Sequence, residues 1–349
     1  MELMDLFLTS LGASVVVYCG LKLIRFSQVL FPNIWFPLSQ TFFTSMGEWA
    51  VLDMLRLFSV TQERHHVCGI KQACSDIFLK VVTGASEGIG RAYALALAEQ
   101  GMNVVIMSRT KAKLDQVAKE IGDKTGQKVK VIVTDFIQEY IFDEIEAQLK
   151  DLDIGVLVNN VGVLPSMIPH RFLDCPDVDQ TIANVINCNV KTMAKMCKII
   201  LPGMENRRKG LILNISSGVV CVPFPLYSLY AASKVFVHKL SQGLHLEYKD
   251  KGIIIQSVAP FGVSTRMTGY QATNLVTLSP EHFVKSSLEY VRAGDNTYGS
   301  VSHTLLSWIL QTIPSKLLDV ESIQQMAQDY IENRLSNSAS NTSTDNGRK

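Results

Sequence analysis

The chain has 349 residues, with 33 Lys and Arg against 32 Asp and Glu, a formal net charge of +1 and 47% hydrophobic residues. A balance this close to neutral, without a long Lys/Arg block, excludes the electrostatic footprint of a nucleic-acid-binding protein. The mean hydropathy of +0.17 is high for a soluble enzyme and directs attention to an apolar segment, while the length suits one catalytic domain with appendages at both ends.

The apolar segment comes first. Leu6 to Ile24 (LFLTSLGASVVVYCGLKLI) is close to the roughly 20 residues that cross a bilayer core as a helix, and a membrane anchor is expected over residues 1–27. Glu2 and Asp5 precede the run and Lys22 and Arg25 follow it, so the cationic side places the downstream chain in the cytosol. A cleaved signal peptide would begin with basic residues instead. Residues 28–50, including FSQVLFPNIWFPL and Trp35, read as a linker that lies along the membrane interface or packs on the enzyme body.

From Val81 to about Val258, short runs rich in Val and Ile alternate with helical patterns, as repeated βαβ units around a parallel sheet require. The predicted strands end at VVTG (Gly84) and then cover Asn103 to Met107, Lys130 to Val133, Ile154 to Val158, Leu211 to Ile215 and Ile253 to Val258. Helical spacing covers Arg91 to Glu99 and Lys111 to Ile121 between them. The expected fold is α/β, a doubly wound, Rossmann-type parallel sheet with an N-terminal transmembrane helix, its catalytic domain spanning 81–327. Residues 271–327 read as apolar helical patches that cap the substrate pocket, touch the membrane or pack as a terminal helix. The Ser-, Asn- and Thr-rich end, 328–349, reads as a disordered tail. Seven cysteines without paired spacing suggest reduced thiols. His65, His66, Cys68 and Cys74 match no zinc pattern, and no metal is expected.

Thr83-Gly84-Ala85-Ser86-Glu87-Gly88-Ile89-Gly90 follows a strand and opens a helix. In that context, glycines let the backbone turn tightly against a pyrophosphate while amides at the helix start face its charge. The second strand ends in Ser108-Arg109-Thr110. An acid there would hold a ribose hydroxyl, whereas Arg109 can pair with a 2′-phosphate, which favours NADPH. Asp135 and Asn159-Asn160-Val161-Gly162 fall at the carboxyl ends of the third and fourth strands, where such sheets bind ligands.

Tyr230 and Lys234 lie one helical turn apart in YAASK. An ammonium beside a phenol stabilises the phenolate, so Lys234 is expected to lower the Tyr230 pKa. Ser217 can hydrogen-bond a carbonyl oxygen as charge develops on it, and Asn189 is the candidate to hold a water against Lys234.

In this order TGxxxGIG, NNxG, Asn, Ser and YxxxK resemble the short-chain dehydrogenase/reductase family over nearly all of Val81 to Met267. The resemblance implies catalytic roles for Ser217, Tyr230, Lys234 and Asn189. It implies a cofactor site of Thr83, Gly84, Ser86, Gly88, Ile89, Gly90, Arg109, Asp135 and Asn160, with Tyr230 and Lys234 beside it. It further implies ketone reduction by hydride from NADPH with the proton from Tyr230, and dimerisation through the helices around Asn189 and Tyr230. SMGEWA (Ser45 to Ala50), NVVIMSRT, GVLVNNVGVLP, KGLILNISSG, PLYSLYAASK and VSTRMTGY are similar to membrane-bound members that reduce steroid ketones or long-chain 3-ketoacyl-CoA. These imply an endoplasmic reticulum membrane protein.

For a 17-ketosteroid the apolar pocket candidates are Leu164, Phe224, Leu226, Met267 and Tyr270. A 3-ketoacyl-CoA would need a basic rim for its phosphates. In those relatives a GEWA-like segment runs directly into the first strand, whereas here Val51 to Lys80 intervene. Lys80 suits a buried central strand only at its beginning, so a third reading is a membrane-bound binding or interaction protein that the insertion has made catalytically inactive.

Overall fold

The computed structural model describes residues 2–39, 42–45, 78–167 and 169–312, together with 321 and 325. The extra segment up to Ile77, the four residues His65, His66, Cys68 and Cys74, and the 328–349 tail lie outside the described residues.

Seven strands form one sheet: β1 (Phe78–Thr83), β2 (Asn103–Ser108), β3 (Val129–Val133), β4 (Asp153–Asn159), β5 (Gly210–Ile215), β6 (Ile253–Val258) and β7 (Asn296–Thr297), in the order β3-β2-β1-β4-β5-β6-β7. Every neighbouring pair is parallel. The chain winds outward from β1 in one direction and then, from β4, in the other, so the loops at the carboxyl ends of β1 and β4 face each other across a crevice. β7 was not foreseen. It pairs only Ser257 with Asn296 and Val258 with Thr297, too short to leave a pattern.

Helices cover both faces: α4 (Gly88–Ala98), α5 (Lys111–Thr125) and α10 (Pro280–Glu289) on one, α6 (Phe142–Leu149), α8 (Thr192–Asn206) and α9 (Ser228–Tyr248) on the other. The strands are apolar on both sides because each side meets a helix layer. Val82, Leu97, Ile106 and Phe283 belong to one core and Val81, Met107, Met196 and Val237 to the other. The Tyr93 hydroxyl, fully buried between α4 and α10, is satisfied by Ser287 Oγ at 2.6 Å.

α1 (Glu2–Leu30) runs further than the apolar segment that announced it, and Ser10 to Leu30 is long and apolar enough to cross a membrane. Its final turns reach the catalytic body. The Tyr290 hydroxyl donates to the Val29 carbonyl at 2.6 Å, and the Phe26 and Trp308 rings lie 5.7 Å apart. The short helix α2 (Pro32–Trp35) follows and α3 is Phe42–Ser45. The last described helix, α11 (Val301–Thr312), carries Trp308.

Lys80 is not at the start of its strand. It is the third residue of β1, opposite Val104 of β2 and Val156 of β4, with a register irregularity between Leu79 and Lys80 on the β4 side. The side chain is fully buried, and its ammonium donates to the Leu97 carbonyl at 2.5 Å. Burial lowers its pKa from 10.5 to about 7. The unfolded chain therefore binds a proton that the folded chain sheds, and stability rises with pH between about 7 and 10.5. At and below the lower limit the buried lysine costs on the order of 5 kcal/mol relative to an exposed one. Lys80→Met, which keeps the volume and removes the charge, is expected to raise the midpoint of denaturant unfolding at pH 7 and to flatten its rise toward pH 10. An unchanged midpoint and slope would contradict this placement.

Candidate active site

β1 ends in Thr83 and turns at Gly84, whose φ of +66° suits glycine. A Cβ there would stand 2.9 Å from Asn160 Nδ2, and one on Gly90 would collide with the Gly84 carbonyl. These two glycines are therefore a packing requirement as well as a turn. The loop is clasped from the β4 side. Thr83 Oγ1 accepts from the amides of Asn160 and Val161 at 3.0 and 3.1 Å, and Asn160 Nδ2 donates to the carbonyls of Thr83 and Gly84 at 3.0 and 3.2 Å. The backbone amide and Nδ2 of Asn160 thereby hold two loops together.

α4 begins at Gly88 without a side-chain cap from Glu87, so its first amides remain available to an anion. Gly88 has φ +59° and Ile89 is half-buried beside it. Glu87 is drawn aside by Lys113 at 2.7 Å and Arg266 at 2.9 Å. Ser86 Oγ accepts from Ser108 Oγ at 3.1 Å, tying the loop to the end of β2. Arg109, next in sequence, is exposed and makes no ion pair among the described residues. Asp135 is half-buried after β3, its carboxylate accepting from the Ile137 amide at 3.4 Å. A glycine cradle, free helix amides, an unpaired arginine and no acid at the end of β2 together fit an NADP dinucleotide.

The second cluster stands on α9 and β5. Tyr230 and Lys234 are both buried on the inner face of α9, with Lys234 Nζ 5.7 Å from the tyrosine ring centre. Ser217, just beyond β5, hydrogen-bonds the Tyr230 phenol. Lys234 donates to the Ile215 carbonyl at 3.0 Å, and Ser216 Oγ donates to the Lys234 carbonyl at 2.8 Å, so the strand end fixes the helix. Asn189 lies in a π-helical turn, Ile186–Lys191, between α7 (Val178–Val185) and α8, the wider kind of turn often met at functional sites. Its Oδ1 accepts from the Val163 amide at 2.8 Å, and its Nδ2 donates to the Val163 carbonyl and to Ser233 Oγ, each at 3.0 Å. The side-chain amide is thus fully engaged with protein.

Sequence reasoning passed over Ser216 and Ser233, and named Gly162 only as part of NNxG without a role. A Cβ on Gly162 would lie 3.3 Å from Lys234 Nζ and 3.5 Å from Asn189 Oδ1, so glycine there leaves the room beside the lysine. The glycine after NNV was the available signal.

The electrostatics correct one expectation. Burial raises the Tyr230 pKa to about 12 despite the opposing hydrogen bond from Ser217, and burial lowers Lys234 to about 8. Desolvation is the larger cause, and Ser217 rather than the ammonium opposes it. At neutral pH the phenol is protonated and the lysine still charged.

The five pocket candidates are not gathered in one cavity. Phe224 lines a cleft of about 680 Å³ with Val219, Val222 and the outer side of α9 at Ala231 and Val235. Leu226, at φ +67°, lines a separate hollow of about 30 Å³ with Pro165 and Tyr227. Leu164 is half-buried between Val163, bound to Asn189, and Pro165. Met267 and Tyr270 are exposed on the loop after β6.

The family described as short chain dehydrogenase matches residues 79–275. The chain is 48% identical over 334 residues to 17-beta-hydroxysteroid dehydrogenase type 3 of Danio rerio, covering 96% of this chain and 99% of the relative. It is also 48% identical over 236 residues to very-long-chain 3-oxoacyl-CoA reductase of Anas platyrhynchos, covering 67% and 75%. Among solved structures, a short-chain dehydrogenase from Sphingobium yanoikuyae in complex with NADPH matches with TM-score 0.58 and 26% identity over 70% of this chain and 99% of that one.

The lysine at the centre of the site can be titrated directly. With ε-carbon-labelled lysine, a resonance that disappears in Lys234→Met is expected to titrate near pH 8, its ammonium present below and lost above. Titration near the ordinary lysine value would show that Lys234 is not buried as described.

Proposed function

The chain belongs to the short-chain dehydrogenase/reductase family and is an NADP-dependent oxidoreductase, and from that premise we propose that it reduces a 17-ketosteroid to the 17-beta-hydroxysteroid. The observation that carries this reading is the cluster of half-buried Ser217 with buried Tyr230 and Lys234, which presents a protonated phenol to a substrate oxygen. NADPH, when bound, supplies the hydride that adds to the carbonyl carbon.

The remaining work belongs to side chains of this protein. The α4 amides and Gly84–Gly90 loop take the pyrophosphate, and Arg109 pairs with the 2′-phosphate. Asp135 and Asn160 hold the loops that flank the cofactor, with Thr83, Ser86, Gly88 and Ile89 as its bed. The Ser217 hydroxyl donates to the ketone oxygen as negative charge develops on it. Tyr230 then gives its phenolic proton to that oxygen, completing the alcohol. The phenolate left behind is stabilised by the Lys234 ammonium until a solvent proton restores it. A donor with a pKa near 12 remains loaded throughout the neutral range, which suits reduction rather than oxidation. Asn189 holds the Val163 backbone and Ser233 in place around Lys234.

The steroid assignment follows the relative covered nearly end to end, and a 3-oxoacyl-CoA is the second reading. Leu164, Phe224, Leu226, Met267 and Tyr270 remain the proposed steroid contacts, brought together when substrate orders the loops that carry them. α1 anchors the enzyme in the endoplasmic reticulum membrane, with Lys22 and Arg25 on the cytosolic side. Exposed Val235, Phe236 and Leu246 on α9 supply the apolar face for a homodimer.

Membranes containing the full chain should oxidise NADPH on addition of androstenedione, and Tyr230→Phe should lower the rate by about a hundredfold or more while NADPH binding persists. Turnover of a long-chain 3-ketoacyl-CoA alone would transfer the assignment to the second reading, and unchanged turnover in Tyr230→Phe would remove the proton donor proposed.

A further inference from the structure

α11 has no Asp, Glu, Lys or Arg in VSHTLLSWILQT. His303, Thr304 and Ser307 face inward and are buried, whereas Trp308 is 36% and Ile309 61% exposed. Gln311 and Thr312 are exposed at its end, but ahead of them Trp308 and Ile309 face outward while the buried positions are polar, the reverse of what a water-facing helix requires. Nothing in the described chain covers Ile309.

The position of α11 indicates what does. The Trp308 ring lies 5.7 Å from, and tilted by 37° to, that of Phe26, one residue beyond Arg25, and Tyr290 bonds the Val29 carbonyl. Arg292 donates to the Pro37 carbonyl at 3.3 Å. The Trp308–Phe26 contact sets α11 against the last turns of α1, and the other two tie the segment after α10 to the end of α1 and to the chain just beyond α2. Lys22 and Arg25 mark the headgroup level on α1, since such side chains extend to the membrane surface. Phe31 and Ile34, 52% and 75% exposed, and Trp35 continue the apolar surface at that same level, and a tryptophan is well suited to this layer. α11 also carries the loop beyond β6: His303 Nε2 lies 2.9 Å from the Val276 carbonyl, and Leu275 beside it is 87% exposed.

We propose that the outer face of α11 rests in the headgroup layer of the bilayer that α1 enters, and holds the 263–278 loop at the lipid surface, where a lipophilic ketone enters the site without crossing water. This rests on the reading of α1 as a membrane anchor. An interfacial helix needs a charge-poor apolar face presented at the right depth. α11 has the face, and its contact with α1 sets the depth.

The three tryptophans are Trp35, Trp49 and Trp308, which allows the two claims to be read separately. The full chain is reconstituted in phosphatidylcholine vesicles with brominated acyl chains, retaining only Trp308 (Trp35→Phe, Trp49→Phe) or only Trp35 (Trp49→Phe, Trp308→Phe). Both fluorescences are expected to fall about twofold or more relative to unbrominated vesicles. Quenching of Trp35 without Trp308 overturns the proposal and leaves the anchor standing. Quenching of neither overturns both. The unaltered chain gives a reading free of substitutions: a phosphatidylcholine with a photoreactive acyl chain should label peptides from α1, from 301–312 and from 271–278, and labelling confined to α1 contradicts the proposal.

Discussion

The clasp between Thr83 and Asn160 is the contact on which the site depends. It joins the loops after β1 and β4, the two strands where the sheet changes winding direction, through four hydrogen bonds of 3.0 to 3.2 Å. On one side of it the Gly84–Gly90 turn is pressed so close to Asn160 that no side chain fits. On the other, Val161 and Gly162 lead to the pocket beside Lys234 and Asn189. One pair of polar side chains thus sets the distance between the proposed cofactor cradle and the proposed proton donor, and proximity of this kind is what a hydride transfer needs.

Lys80 is the counterweight. It lies three residues before Thr83 in the same strand, buried on the α4 side, with the Leu97 carbonyl as its hydrogen-bond partner among the described residues. A central parallel strand has no water to offer a charge, so the side chain loses its proton or the strand loses stability. The strand nonetheless keeps its pairing with both neighbours from Lys80 onward. The cost is carried by the fold as a whole, while the geometry at Thr83 is preserved. Desolvation governs the catalytic cluster in the same way, raising Tyr230 and lowering Lys234. Burial there keeps the donor loaded.

Much of this could be read in the sequence because it follows from spacing. Alternating apolar strands and amphipathic helices announced β1 to β6, and the glycine turn and the four-residue step from Tyr230 to Lys234 marked both halves of the proposed site. What could not be read depends on three-dimensional environment. The sign of the Tyr230 shift turns on how deeply the ring is buried, and the residue spacing shows only that a lysine is near. β7 has two paired residues and no period. Leu164, Phe224, Leu226, Met267 and Tyr270 come from three separate loops, and loop conformation leaves little trace in an apolar pattern. α1 outlasted its hydrophobic run because Phe26 and Val29 find partners on the enzyme body, contacts between residues more than 250 positions apart.

The central claim is that a chain with Lys80 in its first strand still builds a working cofactor cradle. Equilibrium binding of NADPH and NADH to the purified full chain at pH 8, followed by cofactor fluorescence, tests it most directly. Saturable binding with NADPH favoured about tenfold or more, a preference lost in Arg109→Ala, is the predicted result. No binding of either cofactor, in a protein whose circular dichroism shows it folded, would contradict the account.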